Sequence, residues 1–302
     1  MSATSTVTSV PASMSTLGVS ANRRFKDRLA AVLVAGAFVL AAIPLVWILF
    51  TVITKGAGLI VSSGWWTESQ RNVSPRSPGG GAYQAIMGTL IQAAITSVIA
   101  IPLGILGGVF LVEYGATNWL SKPVSFMVDI LTGVPSIVSA LFVYALWITT
   151  FGLRRMGFAV SLALVLMMIP TIVRSTEEML RIVPNELRDA SFALGIPKWK
   201  TILKVVVPTA LTGIITGVML GVARIMGETA PLLILVGYAA GINFNPFSGE
   251  QAALPLMINV ERQNVLPAGQ DRAWAAALTL ILIVMVLNLG ARYLGRLGGA
   301  RR

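Results

Sequence analysis

Arg224 and Glu228 form a charged pair inside an otherwise apolar stretch, Gly221-Val-Ala-Arg-Ile-Met-Gly227-Glu-Thr-Ala-Pro231-Leu232. Four residues apart, they share one face of a helix, one turn from each other. A charge at the centre of a membrane helix costs about 2.5–3.5 kcal/mol on insertion scales, so such residues are functional candidates by default. A guanidinium presents a planar fork of donors that matches phosphate or sulfate oxygens, and it stays charged at any pH. The spacing therefore allows an anion site in which Glu228 holds Arg224 when the site is empty. The carboxylate can also accept a proton from partly protonated phosphate, which fully ionised sulfate does not offer. The plainer alternative is mutual neutralisation, in which the pair lowers its own insertion cost and does nothing more.

A second polar constellation is Asp129 followed by Leu131-Thr132-Gly133-Val134-Pro135-Ser136. Pro135 interrupts the helical ladder and Gly133 lets the backbone bend. N–H groups freed where a helix restarts are natural anion donors. For Ser136 a simple proline kink is the equal alternative. The candidates for an anion path are thus Arg224, Glu228, Thr229, Ser136 and Asp129.

The third feature is a polar segment between apolar ones. It runs from Glu186 through Arg188, Asp189, Ala190, Ser191, Leu194, Gly195, Pro197, Lys198 and Lys200 to Val205-Val-Val-Pro208. Pro184 suits the first turn of a helix over 185–194, Gly195 its end, and Pro197 the residues after a C-cap. A short basic helix over 198–205 follows. Such a design serves either a cytoplasmic partner or a surface of anionic lipid.

These residues must be positioned by membrane helices. The chain has 302 residues, is 55% hydrophobic and 12% charged, and has a mean hydropathy of +0.80. One soluble core cannot hide that much apolar surface, so the class is an all-α polytopic membrane protein. There is no Cys and no His, which removes disulfides, cysteine nucleophiles, histidine bases and the usual zinc sites. No metal site and no catalytic residue is expected. An intramembrane enzyme has no motif here.

Six spans fit, at 29–54, 84–112, 124–150, 157–174, 209–238 and 273–294, each near the ~20 residues a bilayer requires. The run 29–53 is too long for a signal-peptide core and lacks a clear cleavage site. With both termini cytoplasmic, fifteen of the 23 Lys and Arg fall on inner segments and seven on outer ones, the bias of the positive-inside rule. That placement accounts for the net charge of +11 without nucleic acid. Trp65, Trp66, Trp119, Trp147 and Trp274 fall near expected helix ends, where interfacial belts explain them. The domain organisation read from this is a disordered basic tail at 1–28, the first helix and an outer loop at 29–83, a core at 84–294 containing the loop 177–208, and a basic tail at 295–302.

The segment 189–208 resembles the cytoplasmic loop of permease subunits of bacterial ATP-binding-cassette (ABC) importers. Their pattern is Glu-Ala-Ala, three residues, Gly, nine residues, then Ile-x-Leu-Pro. Here Asp189-Ala190-Ser191, Gly195 and Val205-Val206-Val207-Pro208 match in register, with Asp for Glu, Ser for Ala, and Val at the late aliphatic positions. The resemblance implies a type I importer permease fold and a loop that docks in a groove of an ATPase subunit through Asp189, Ala190, Ser191, Leu194 and Gly195. No Gly-x-x-x-x-Gly-Lys-Ser/Thr occurs in the sequence, so ATP and Mg belong to a partner chain and no cofactor to this one.

Gly-Val-Pro-Ser-Ile-Val at 133–138, together with Ala-Arg-x-x-Gly-Glu-Thr-Ala-Pro-Leu at 223–232, is similar to the phosphate-specific transport (Pst) permeases, and to their A-type rather than C-type subunit. The similarity covers roughly residues 29–294. It implies a multi-pass subunit of the bacterial inner (plasma) membrane that imports phosphate. Its partners would be a homologous C-type permease, two ATPase subunits and an extracytoplasmic phosphate-binding protein. It assigns phosphate passage to the Arg224 and Glu228 positions. The rival cargoes are sulfate, molybdate and phosphonate. The rival class is an ion-coupled carrier acting alone with Glu228 as proton relay.

Overall fold

The computed structural model describes residues 21–116 and 118–299, and every regular element among them is helical. Five helices are long and apolar enough to cross a membrane: Asn22–Ile60, Tyr83–Tyr114, Gly157–Ile182, Lys198–Met226 and Pro267–Tyr293. A sixth crossing results if the bent pair Ser121–Gly133 and Ser136–Thr150 is one span.

Residues 1–51 and 52–302 form two separate contact units. The described part of the first belongs to α1 (Ala21–Ile60). Its side chains are exposed around the helix, Phe38, Leu40 and Trp47 among them at more than 70%, as suits a helix surrounded by lipid. Residues 21–28 of the expected disordered tail are helical; residues 1–20 lie outside the described residues. Arg23, Arg24, Lys26 and Arg28 are good helix formers and extend α1 rather than stopping it.

In the second unit the order is α2 (Ser63–Thr67), α3 (Tyr83–Val109), α4 (Ser121–Gly133), α5 (Ser136–Tyr144), α6 (Gly157–Ile182), α7 (Asn185–Ala193), α8 (Lys198–Thr201), α9 (Val207–Met226), α10 (Ala230–Leu235), α11 (Leu254–Glu261) and α12 (Pro267–Gly299). Helix α6 is the centre, packed between α3 and α9. Both flanking helices present small residues every fourth position. On α3 these are Ala100, Gly104 and Gly108; a Cβ at Gly104 would lie 2.6 Å from Ile172 Cβ, and one at Gly108 2.6 Å from Thr176 Cβ. On α9 they are Gly213, Gly217 and Gly221, which face Met179, Ser175 and Met168 of α6. Apolar side chains gain little by leaving lipid for protein, so close backbone approach and dispersion must hold such helices together. The β-branched Ile172, with a stiff χ1, has no way to yield to a methyl group at Gly104. Gly104→Ala is therefore expected to cost about 1–3 kcal/mol through overpacking, read as a lower thermal midpoint of the purified protein in detergent.

Three expected spans are redrawn. The third is α4 and α5, bent by 106° at Val134–Pro135. Asp129 and Ser136 therefore lie on either side of a break, not at the start of one helix. The fourth runs to Ile182 rather than 174, carrying Arg174, Glu177 and Arg181 with it. The fifth stops at Met226 instead of 238. Pro231 lacks an N–H and its ring clashes with the carbonyl four residues back, a cost of about 3 kcal/mol within a helix. The chain breaks at Gly227-Glu228-Thr229 and restarts with Pro231 in the first turn of α10. The basic tail from 295 likewise continues α12 to Gly299; residues 300–302 lie outside the described residues. Trp65 does not sit at an interface: it is fully buried, and its indole N–H donates to Thr279 Oγ1 at 2.9 Å.

Candidate anion path and coupling element

Arg224 occupies the last turn of α9, and Glu228 follows the helix end. Arg224 Nε lies 3.8 Å from Glu228 Oε1, beyond hydrogen-bond reach. The guanidinium is 54% exposed and the carboxylate 19%. Among the described residues the Arg224 guanidinium has no hydrogen-bond partner. A pair built for neutralisation alone would close into a charge-assisted bond of about 2.7–2.9 Å. This one leaves the donor fork of Arg224 open.

Glu228 lines a cleft of about 10 Å³ together with Thr89 and Gln92 of α3, Leu164 of α6, and Ala253 and Pro255 at the start of α11. That is room for roughly one water, so the cleft is shut to a larger anion in this conformation. Its wall is tied to the loop before α11. Gln92 Nε2 donates to Gln251 Oε1 at 3.0 Å, Gln251 Nε2 donates to the Asn243 carbonyl at 3.1 Å, and the Leu254 N–H donates to Thr89 Oγ1 at 2.8 Å. Gly88 makes this possible, because a Cβ there would lie 1.8 Å from the Ala252 carbonyl. Sequence reasoning missed Thr89 and Gln92. Their spacing of three along one helical face was the available signal.

Thr229 stands just before α10, with no capping hydrogen bond from its side chain. Ser136 opens α5; the first N–H bonded back is that of Val138, to Pro135 O at 2.9 Å. The N–H groups of Ser136 and Ile137 are thus the unpaired start of this helix. Helix α5 packs on α10, which brings the two restarted helices of the chain together. Asp129 has a different partner. Its carboxylate accepts from Arg174 Nη2, which also donates to Ser125 Oγ at 3.0 Å. Arg174 bonds Glu177 through its other terminal nitrogen, and Arg181 Nη2 donates to Glu177 Oε1 at 2.7 Å.

The polar segment folds as its punctuation predicts. Helix α7 ends at Ala193, Gly195 adopts φ +73°, and Pro197 leads into α8. Only a residue without Cβ takes that left-handed conformation at little cost. Ser191 is buried and its Oγ accepts from Thr201 Oγ1 at 3.0 Å, so it fastens α7 to α8 from within. Asp189 is exposed, and so are Leu187, Phe192, Leu194 and Trp199, with Leu194 at 79%. Such a cluster of exposed apolar side chains on a polar element marks an interaction surface.

Behind that surface the element is bolted to Glu113, in the helical segment Phe110–Tyr114 that continues α3. Arg188 Nη2 and Nε reach Glu113 Oε1 at 2.8 and 3.1 Å, and its remaining donors take the carbonyls of Val183 (2.7 Å) and Leu180 (3.0 Å). Lys198 donates to the Glu113 carbonyl, and its ammonium lies 4.7 Å from the Tyr114 ring centroid. Glu113 was not singled out from sequence, since 75 residues separate it from Arg188.

Residues 100–297 match the family described as binding-protein-dependent transport system inner membrane component. The chain is 52% identical over 280 residues to phosphate transport system permease protein PstA 1 of Mycobacterium tuberculosis (strain CDC 1551 / Oshkosh), spanning 93% of this chain and 92% of that protein. It is 38% identical over 270 residues to the PstA permease of Yersinia pestis, spanning 89% and 90%. Among solved structures, a bacterial ABC transporter involved in import of the acidic polysaccharide alginate superposes with a TM-score of 0.58 at 14% identity, covering 91% of this chain and 98% of that one. The MetNI methionine ABC transporter in an inward-facing conformation gives 0.55 at 19% identity, covering 72% and 94%. These two likenesses carry the fold.

Proposed function

The chain belongs to the inner membrane components of binding-protein-dependent transport systems, and from that premise we propose that it is the A-type permease subunit of an ATP-driven inorganic phosphate importer. One observation carries the site: a half-exposed guanidinium without a hydrogen-bond partner, set at a helix break beside a carboxylate. The relatives that match nearly its whole length are phosphate permeases, which favours phosphate over sulfate, molybdate or phosphonate. Membership of a family fed by a binding protein separates the chain from an ion-coupled carrier acting alone. It is a transport subunit of the inner membrane, and hydrolysis of ATP with Mg belongs to partner ATPase subunits.

The partners in this reading are a homologous C-type permease, two ATPase subunits docked on the exposed face of α7 and α8, and a phosphate-binding protein at the outer loops. Nucleotide-driven closure of the ATPases moves α7, and with it the helices to which Arg188 and Lys198 bind it. The cleft at Glu228 then opens. Arg224 compensates the anion in passage, and Glu228 takes a hydrogen bond or proton from phosphate. Binding there must be weak enough for release, and an exposed arginine meets that need better than a closed pocket. The test is uptake of labelled phosphate into proteoliposomes carrying the complete complex, with ATP inside the compartment that the ATPases face. Uptake is expected only with ATPase subunits and loaded binding protein present. Equal uptake of sulfate would overturn the cargo, and uptake without the ATPases would overturn the class.

A further inference from the structure

Arg174 is the only side chain of α6 that bonds to the side chain of an α4 residue among the described residues. Its position is unusual in three respects. First, its fork spans two helices: one terminal nitrogen reaches Asp129 and Ser125 on α4, and the other reaches Glu177 on its own helix. Second, α4 is otherwise loosely held. Val128 is its one buried residue, while Phe126, Met127 and Ile130 are each at least half exposed. Third, α4 is the free arm of the 106° bend, and its continuation α5 packs on α10, directly after the Glu228 break.

Helix α6 in turn runs to Ile182 and passes through Val183 and Pro184 into α7. Its last turn is gripped by Arg188 of α7 through the Leu180 carbonyl. A movement of α7 thus has a stiff route into α6. Apolar contact between α4 and α6 is a small cluster, Val124 and Val128 against Ile169 and Val173, and α5 also packs on α6; the ion network is the polar link that fixes α4 in register with α6. We propose that Arg174 is a positioning residue that transmits displacement of α6 to the α4–α5 arm through Asp129, and thereby aligns α10 and the Glu228 break with the state of the coupling element. Glu177 and Arg181 hold the guanidinium in its orientation. The inference rests on the importer reading above and adds to it the residue pair through which the arm is driven.

The test uses the complete importer in proteoliposomes and measures phosphate imported per ATP hydrolysed. Asp129 is 63% exposed at its side chain, so Asp129→Ala leaves the fold intact, and Arg174→Gln leaves Glu177 paired with Arg181. Each variant is expected to lower transport per ATP up to about fivefold, the fold-change that loss of a partly exposed ion pair worth at most about 1 kcal/mol carries. Binding-protein-stimulated ATPase activity and the melting temperature should stay near wild type. The double variant should be no worse than either single one, because both cut the same bond, and Asp129→Glu should restore coupling. Single variants with unchanged transport per ATP would overturn the proposal. So would losses that multiply in the double variant, or losses that only track a lowered melting temperature. Failure of the importer reading is distinct: there the wild-type complex itself imports no phosphate.

Discussion

Arg224→Gln is expected to cut phosphate uptake roughly ten- to 150-fold while the importer still assembles, the range for a hydrogen bond to a charged group worth about 1.5–3 kcal/mol. The guanidinium has no hydrogen-bond partner among the described residues and is 54% exposed, so its loss breaks no hydrogen bond and creates no cavity, and Glu228 gives up only a loose contact at 3.8 Å. The effect should therefore fall on transport and not on stability. Glutamine keeps one planar end but loses the charge and most of the donors. Arg154→Gln is the control, because Arg154 is an exposed arginine in the outer loop between α5 and α6. The measurement is initial uptake in cells at low phosphate, with the amount of assembled complex determined in the same membranes. Uptake that survives loss of Arg224 would make the Arg224–Glu228 pair structural.

The opposite pattern is expected at the coupling element. Arg188 is 13% and Glu113 7% exposed at the side chain, and Arg188 also satisfies two carbonyls at the end of α6. Arg188→Met leaves a buried carboxylate without its cation, a loss of about 3–5 kcal/mol. At roughly 2–4 °C per kcal/mol, that is a fall of about 6–20 °C in melting midpoint. The surface carrying Leu194 and Trp199 would lose its support, and binding of the ATPase subunits would fall with it. Adding Glu113→Gln removes the stranded charge, so the double variant should recover a large part of the midpoint. A scanning calorimetry or dye-based melt of the purified complex checks both steps. An unchanged midpoint in Arg188→Met would show that the element holds its place without this bolt.

Fold class needed no tertiary information. Long apolar runs and the Pro–Gly–Pro punctuation around 184–197 are local properties, so the all-helical membrane class and the α7–turn–α8 element could be read from the chain alone. The Arg224–Glu228 pair was equally visible, because four residues along a helix fix a neighbour whatever lies around it. Even the break at Glu228 was written in Gly227 and Pro231, although the hydrophobic run masked it.

Other features depend on which helices meet. The glycine ladders of α3 and α9 take their meaning from α6, whose Ile172, Thr176 and Ser175 fill the space where side chains would be. The link from Asp129 to Arg174 and the link from Glu113 to Arg188 join residues 45 and 75 apart. The cleft at Glu228 is walled by residues of α3, α6 and the approach to α11. A sequence shows each charge and each glycine, but their partners are chosen by helix packing. In a membrane that packing is governed by shape and by polar groups that water cannot satisfy, and neither is a property of any single segment.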